Sequence, residues 1–166
     1  MTDLTKYSQK IINNFEKRGA FLISKLNEKI NVMTIGWGNL GIEWRKYIFI
    51  IMVRESRYTK EIIDASNEFT ITIPLDEKMD ENLKICGKDS GRDYDKINTL
   101  NLETVKSKKN NTPLISCKSI SLECTVVYKQ KINIENLDNS KKEAFYFDED
   151  LHTFYHGEIL YINENL

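Results

Sequence analysis

The order of apolar and polar positions divides this chain into short helices and strands. Apolar side chains recur at helical spacing over residues 7–18, and Gly19 ends the pattern, so the sequence predicts a first helix there. Alternating or continuous apolar character predicts strands at 20–26, 30–38, 48–53, 69–73, 120–128 and 153–162. Further helical segments are predicted at 60–65, 77–86 and 137–144. About seven strands with short helices between them predict a mainly β fold with flanking helices, built as a barrel-like antiparallel sheet.

Composition limits the classes of function without choosing among them. At 166 residues the chain is expected to form a single domain, 1–166. A net charge of −1 gives no reason to expect a nucleic-acid or membrane partner. No apolar run approaches the roughly 18 residues of a membrane span, and the N-terminus lacks the layout of a signal peptide. Three cysteines fit reduced thiols better than a disulfide framework, so a cytoplasmic location is expected.

A cationic, hydroxyl-rich turn follows the apolar strand at 48–53 and precedes the helix at 60–65. Arginine offers forked donors, serine and threonine offer hydroxyls, and the first N–H groups of a helix point the same way. This combination of donors suits a phosphate ligand, although a solvated turn is a common alternative for charged residues after a strand. The candidate phosphate ligands are Arg54, Ser56, Arg57 and Thr59.

The end of the second predicted strand combines soft apolar side chains with small residues. A flat heteroaromatic ring needs apolar cover on its faces and amide hydrogen bonds at its edge, and such a strand end offers both. The alternative is an ordinary core strand that ends in a tryptophan. The candidate residues are Asn31, Met33, Thr34, Ile35, Gly36 and Trp37.

A third candidate segment is the charged turn at residues 90–96. A glycine among Ser and Asp residues, with Arg and Lys nearby, can clamp ribityl hydroxyls or a phosphate. A solvated turn that leads into a helix is the alternative. The candidates here are Ser90, Gly91, Asp93 and Lys96.

The two histidines, His152 and His156, do not predict a metal site. On a strand, residues four apart share a face but lie about 13 Å apart, and no glutamate follows the first histidine. Cys86 and Cys124 are expected to be small buried hydrophobes rather than nucleophiles. No Gly-x-Gly-x-x-Gly, Walker loop or Gly-x-Ser-x-Gly motif occurs, so a Rossmann enzyme, a P-loop NTPase and an α/β-hydrolase are not supported.

Taken in order, these motifs make the chain similar to the flavin reductase-like family of FMN-binding split-barrel proteins. The segments that carry the resemblance are 19–22, 31–38, 53–59, 68–70, 86–87, 90–93, 95–96, 122–124 and 152–159. Two positions depart from the family pattern. Tyr47 stands where a proline usually follows the Trp-x-Lys stretch, and Asn101 stands where a glycine is common.

The resemblance implies an antiparallel split β-barrel and a homodimer with FMN near the subunit interface. It also implies that residues 33–37 lie along the isoalloxazine, that the turn at 54–59 holds the 5′-phosphate, and that residues 90–96 close over the ribityl chain. No side chain need act as an acid or base. Backbone N–H groups of residues 34–37, or a cation such as Lys96, would stabilise negative charge on the ring.

Three functions follow from this resemblance. The first is an NAD(P)H-dependent flavin reductase-like oxidoreductase, with NADH or NADPH as electron donor and electrons passing through bound FMN. The second is a non-enzymatic FMN electron carrier that serves a redox partner protein. The third is a binding module with the same barrel that holds another ligand, such as haem or a cobalamin, or none.

Overall fold

The computed structural model describes residues 4–165 and is dominated by one large sheet. The helices are α1 (Thr5–Lys17), α2 (Tyr58–Ser66), α3 (Asp80–Lys88), α4 (Lys96–Thr99) and α5 (Asn139–Phe145). The strands are β1 (Ala20–Leu26), β2 (Lys29–Ile35), β3 (Gly38–Glu43), β4 (Lys46–Arg54), β5 (Glu68–Pro74), β6 (Thr104–Val105), β7 (Leu114–Ile115), β8 (Ser119–Lys131) and β9 (His152–Asn165).

Seven strands form the main sheet in the order β2-β1-β5-β8-β9-β4-β3, and every neighbouring pair is antiparallel. The long strands β8 and β9 pair at its centre, where the register shifts between Glu123 and Cys124 and again between Val126 and Tyr128. Such bulges bend a strand and increase its twist. The sheet remains open, with β2 and β3 as its edges. The predicted mainly β, antiparallel split-barrel architecture with flanking helices is therefore confirmed.

The strands of this sheet bury side chains on both faces. Along β1, Leu22 joins the larger core cluster, whereas Phe21 and Ile23 join a second cluster with Leu83 of α3. Successive side chains of a strand point to opposite faces, so a strand covered on both sides must be apolar throughout. This explains why the first five residues of β1 are all buried.

The prediction of one strand over residues 30–38 was wrong at its C-terminal end. β2 ends at Ile35, and Gly38 begins a separate strand, β3, that pairs with β4. β3 gave no clear signal because its positions are at most half-buried and Ile42 is exposed. Gly38 is needed there, because a Cβ at this position would lie 2.6 Å from the Phe49 ring.

Other boundaries differ by a few residues. α2 begins at Tyr58 rather than at residue 60, and α3 begins at Asp80 because Glu77–Met79 form a 3-10 turn. β8 runs on to Lys131, since its polar end pairs with the start of β9. This extension could not be recognised from hydrophobicity, because its outer residues are exposed.

The cysteines Cys86 and Cys124 are buried, as predicted, and both are free, as is Cys117. Burial raises the pKa of the Cys86 thiol to about 11. In the region from residue 4 to residue 165, no helix has the length and apolar character that crossing a membrane requires.

Gly19 provides a test of the packing between β1 and β2. We expect Gly19→Ala to lower the free energy of unfolding by at least about 2 kcal/mol, because φ is +85° and a Cβ would lie 2.4 Å from the Ile35 carbonyl oxygen. Urea unfolding measures the change. Gly41→Ala is the control, since a Cβ there meets nothing within 4 Å and the free energy should change by less than about 0.5 kcal/mol. Equal effects would contradict this explanation.

Candidate functional site

Two adjoining pockets lie between the end of β2 and the start of α2. The strand pocket, of about 260 Å³, is lined by Met33, Thr34, Ile35, Gly36, Trp37, Met52, Arg54, Arg57 and His152. The helix pocket, of about 220 Å³, is lined by Asn31, Met33, Ser56, Arg57, Tyr58, Thr59, Asp89, Ser90, Gly91, Arg92 and Lys96. Met33 and Arg57 line both pockets, so together the two form one elongated cleft.

The strand pocket is built by the alternation of β2. Met33 and Ile35 are buried in the main core. Thr34 points the other way, and its hydroxyl donates a hydrogen bond to the Leu83 carbonyl of α3. Thr34 therefore offers the pocket its backbone rather than its hydroxyl. Gly36 adds open space, because a Cβ there would meet nothing within 4 Å.

Trp37 is fixed by two aromatic neighbours although 43% of its surface is exposed. Its ring meets Phe145 of α5 edge-on, with centroids 5.1 Å apart and an interplanar angle of 85°. The His152 ring lies 5.5 Å away on a tilted plane. Edge-to-face contacts of this kind stabilise a defined orientation of the ring. Trp37 is therefore a fixed apolar surface at the edge of the strand pocket.

The helix pocket contains a buried lysine without an anionic partner. Lys96 is 4% exposed, and its Nζ donates hydrogen bonds to the carbonyls of Asp89 (2.8 Å) and Cys86 (3.4 Å). No carboxylate of the described chain lies within 4 Å of it. Burial lowers the pKa of the Lys96 ammonium and the charge of Arg57 adds to this effect, while Cys86 and Asp89 oppose it.

Arg57 and the first turn of α2 face the same pocket. Arg57 immediately precedes the nine-residue helix, and within residues 4–165 its guanidinium makes no hydrogen bond or ion pair. Thr59 is buried and accepts a hydrogen bond of 2.7 Å from the Asn31 side-chain amide, which joins α2 to β2. Two unpaired cations at the N-terminus of a helix make a site for an anion.

The cleft brings together every candidate site residue except Asp93. Asp93 is exposed and lines an adjoining polar pocket rather than the cleft. Ser56 lies in the helix pocket, but Asp150 accepts hydrogen bonds from its N–H (3.0 Å) and its hydroxyl (2.6 Å). Ser56 is therefore already engaged within the protein.

Arg54 lines the strand pocket, and its donors hold a neighbouring segment. One Nη donates to the Asp150 carbonyl (2.7 Å) and the other to the Phe145 carbonyl (2.8 Å). Asp148 lies 3.4 Å from the same guanidinium. The partners of Arg54 lie more than 90 residues away in the sequence, so the sequence of the turn at 54–59 does not predict these contacts. Phosphate binding by Arg54 stays a prediction. The observed contacts show that Arg54 holds the segment from Phe145 to Asp150 in place.

A comparison with protein families matches residues 13–165 to the flavin reductase like domain. This chain belongs to the flavin reductase-like family. An uncharacterised protein of Archaeoglobus fulgidus is 31% identical over 142 residues, which are 86% of this chain and 70% of that protein.

Solved structures show the same fold. The flavoredoxin of Methanosarcina acetivorans superposes with a TM-score of 0.68 at 22% identity, covering 89% of this chain and 68% of that chain. An NADH:FAD oxidoreductase of Streptomyces globisporus superposes with a TM-score of 0.68 at 13% identity, covering 99% and 87%. At these identities the likeness concerns the fold alone.

The cleft fits the flavin cofactor to which this family is adapted. Lys96 and Arg57 supply positive charge without anionic partners at one end, as a phosphate requires. At the other end, Met33, Met52 and Trp37 offer polarisable or flat apolar surface next to the backbone of residues 34–36, as an aromatic ring with a polar edge requires. The cleft thus offers positive charge at the helix pocket, and flat apolar surface beside Arg54 and Arg57 at the strand pocket.

Sequence reasoning missed Met52 and considered His152 only as a metal ligand. Met52 lies within an apolar strand and carries no distinguishing signal. His152 lies opposite Arg54 in the β4–β9 pairing, so a correct strand register would have placed it in the strand pocket. His156 instead contacts Glu43, 2.7 Å away. In the described part of the chain, no group of three or more His, Cys, Asp or Glu residues could hold a metal ion.

His152 is held as a neutral imidazole. It is 6% exposed, and its Nδ1 lies 2.8 Å from the Tyr146 hydroxyl. Burial, followed by the charge of Arg54, lowers the pKa of His152 from 6.5 to about 4, while Asp150 opposes this shift. The unfolded chain therefore binds a proton at a higher pH than the folded protein does.

We expect the free energy of unfolding to fall as the pH is lowered from about 6.5 to 4, by about 2 to 3 kcal/mol from His152 alone. Below pH 6.5 the unfolded state takes up this proton and the folded state does not, so acid favours unfolding. Urea unfolding at pH 7, 6, 5 and 4.5 measures how much free energy of unfolding is lost on acidification. This loss should be smaller in His152→Gln than in wild type. His156→Gln is the control and should keep the loss. Equal acid sensitivity in wild type and His152→Gln would contradict the assignment.

Proposed function

We propose that this protein binds FMN in the cleft and acts as an NAD(P)H-dependent flavin reductase-like oxidoreductase. The observation that carries the proposal is Lys96, a buried ammonium beside Arg57 with no carboxylate within 4 Å among the residues described. Burying a cation without an anionic partner is unfavourable, so a site that keeps one is suited to an anionic ligand. The 5′-phosphate of FMN meets this requirement.

Asn31 and Gly91 pack closely at the phosphate end of the cleft. Asn31 is held by Thr59 and contacts Gly91, where a Cβ would lie 1.8 Å from the Asn31 Oδ1. Asn31, Gly91 and Lys96 border both the helix pocket and the polar pocket of about 500 Å³ that contains Asp93. Arg92 also lines both pockets, so the polar pocket adjoins the phosphate end of the cleft. The choice of cofactor follows instead from the single phosphate and single aromatic ring system that the two ends of the cleft would accommodate. We therefore propose FMN as the cofactor.

The protein's own residues bind and orient in this proposal, and none is assigned as an acid or base. Bound FMN would supply the redox chemistry. Met33 and Trp37 would pack against the ring, and the backbone N–H groups of residues 34–37 would donate to its polar edge. Lys96 lies at the helix pocket, so the cations that border the strand pocket are Arg54 and Arg57. These two would stabilise negative charge on the ring better than Lys96.

The alternative is an electron carrier that serves a redox partner protein, and one observation favours it. Trp37 and Phe145 are both partly exposed and contact each other beside the strand pocket. Phe147, on the same segment as Phe145, is 82% exposed. Exposed aromatic side chains are common where proteins meet. A partner could therefore approach the ring end of the cleft.

The homodimer also remains a proposal. An apolar groove of about 720 Å³ runs beside the β3–β4 turn and the outer half of β9. Ile42 and Trp44 are strongly exposed on the same hairpin. An exposed apolar surface of this kind suits the interface between two copies of the chain.

The phosphate assignment predicts a selective loss of affinity. Lys96→Met and Arg57→Ala should each weaken FMN binding by about 10- to 100-fold, because each removes a charge-assisted contact to the phosphate. Binding of riboflavin, which has no phosphate, should change by less than about threefold. Quenching of flavin fluorescence on titration measures both affinities.

Matched controls separate the loss of a contact from the loss of the fold. Lys84→Met and Lys17→Ala remove exposed cations outside the cleft and should leave both affinities unchanged. The ligand-free Lys96→Met protein should remain folded, because removal of the buried charge offsets the loss of two hydrogen bonds to the Asp89 and Cys86 carbonyls. Equal losses for FMN and riboflavin, or none for either, would overturn the phosphate assignment. Uptake of haem or a cobalamin in place of FMN would favour the third function.

Anaerobic stopped-flow mixing distinguishes the enzyme from the carrier. If the protein is an oxidoreductase of the proposed kind, NADH or NADPH should bleach the bound flavin faster than about 1 s⁻¹, within the range of ordinary turnover. Free FMN at the same concentration is the control. A rate no faster than that of free FMN with both nucleotides would favour the carrier.

A further inference from the structure

His152 and Tyr146 form a buried pair that the proposed function does not use. Tyr146 is 8% exposed and ends α5, while His152 begins β9. Their polar atoms meet at 2.8 Å between the Tyr146 hydroxyl and the His152 Nδ1. The two rings stand almost perpendicular, with an interplanar angle of 86° and centroids 5.5 Å apart.

The direction of this hydrogen bond follows from the partners available. Within residues 4–165, the Tyr146 hydroxyl has no partner other than His152. If Nδ1 carried the proton, the buried phenolic proton would have no acceptor, which is unfavourable. If the phenol donates to Nδ1, both groups are satisfied. The imidazole then carries its proton on Nε2, because a neutral imidazole has one donor and one acceptor nitrogen.

The second nitrogen, Nε2, is accessible, and it belongs to a side chain that lines the strand pocket. His152 lines that pocket, and Nε2 has no hydrogen-bond partner in the described chain. The buried side-chain atoms without a partner among residues 4–165 are the Ser24 hydroxyl and the Asn110 carbonyl oxygen, so Nε2 is not enclosed. The ring of Trp37, 5.5 Å away, borders the same space. The pocket therefore contains an unused donor beside a flat apolar surface.

Arg54 fixes Tyr146 in this position. It donates to the carbonyls of Phe145 and Asp150, which flank Tyr146 along the chain, and its guanidinium lies 5.6 Å from the centroid of the Tyr146 ring. The Tyr146 N–H closes the last turn of α5 by donating to the Lys142 carbonyl at 2.9 Å. Tyr146 is therefore held on both sides, and its hydroxyl is directed at one nitrogen of His152.

We propose that Tyr146 is a positioning residue that holds His152 with its proton on Nε2, so that the strand pocket presents a neutral N–H donor to a carbonyl oxygen of its ligand. The identity of the ligand in this inference rests on the proposed function, whereas the position of the proton on the imidazole does not. A carbonyl oxygen of the flavin ring and the carboxamide oxygen of a nicotinamide share the required chemistry. A neutral N–H can donate to either oxygen without placing a further charge in the pocket.

Nitrogen-15 NMR of the ligand-free protein tests the state of the imidazole. The chain contains two histidines, so His156→Gln assigns both rings. Wild type should show His152 with its proton on Nε2. In Tyr146→Phe, the form with the proton on Nδ1 should become detectable, and exchange of the ring proton with water should quicken by about tenfold, as expected for one lost hydrogen bond.

The control is Tyr161→Phe, which removes a phenol bonded to Lys108 on another part of the surface and should leave the His152 signals unchanged. A proton on Nδ1 in wild type would overturn the inference. So would an unchanged imidazole spectrum in a Tyr146→Phe protein whose other signals show that it is folded.

Two ligand arms identify what the donor recognises. A shift of the Nε2–H signal on addition of FMN alone identifies a flavin carbonyl, whereas a shift that appears only when NAD⁺ is added to the FMN-loaded protein identifies the carboxamide. If absorbance shows that FMN is bound and the signal shifts in neither arm, recognition of the ligand by His152 is overturned. Failure of FMN to bind would instead overturn the proposed function, while the ligand-free spectra would still decide the role of Tyr146.

Discussion

The antiparallel register between β4 and β9 places Arg54 opposite His152, and the arrangement of the cleft depends on this pairing. Both residues lie at the ends of their strands, where the chain leaves the sheet. Because Arg54 sits there, its guanidinium reaches the carbonyls of Phe145 and Asp150 and holds the segment between α5 and β9 against the sheet. The same segment then supplies Asp150 to Ser56 and Phe145 to Trp37. A shift of register by one residue would reverse the side chains and dissolve these contacts.

The two ends of the cleft use opposite means to receive a ligand. At the helix pocket, Lys96 is buried and neither Lys96 nor Arg57 forms an ion pair within the described chain, so a bound anion would offset the unfavourable burial of positive charge. At the strand pocket, His152 is neutral because burial and Arg54 disfavour its protonated form. Positive charge therefore borders both ends of the cleft, while the strand pocket adds a neutral imidazole and the flat apolar surface of Trp37. A ligand with an anionic tail and an uncharged aromatic head is matched to both ends at once, which neither end alone would specify.

Much of the fold could be predicted because its signals are local. The alternation and continuous apolar runs of β1, β4 and β5 come from burial on one or both faces, and both are visible in sequence. The exposed strand β3 could not be predicted, because an edge strand with glycines and an exposed Ile42 lacks any period. Candidate site residues at the end of β2 and the start of α2 meet in the structure, since a strand end and a helix start are themselves local features.

What the sequence could not reveal are contacts between distant segments. The bonds of Arg54 and Ser56 to Asp150 join residues more than 90 positions apart, and no local pattern encodes them. Likewise, Asp93 belongs to the same turn as Ser90 and Gly91, but it lines the polar pocket and not the helix pocket. The nitrogen on which His152 carries its proton is even harder to predict from the sequence. It depends on the hydroxyl of Tyr146 and on Arg54, which holds Tyr146 in place. Features that decide how a ligand is oriented thus depend on how α5 and the segment after it pack against the sheet.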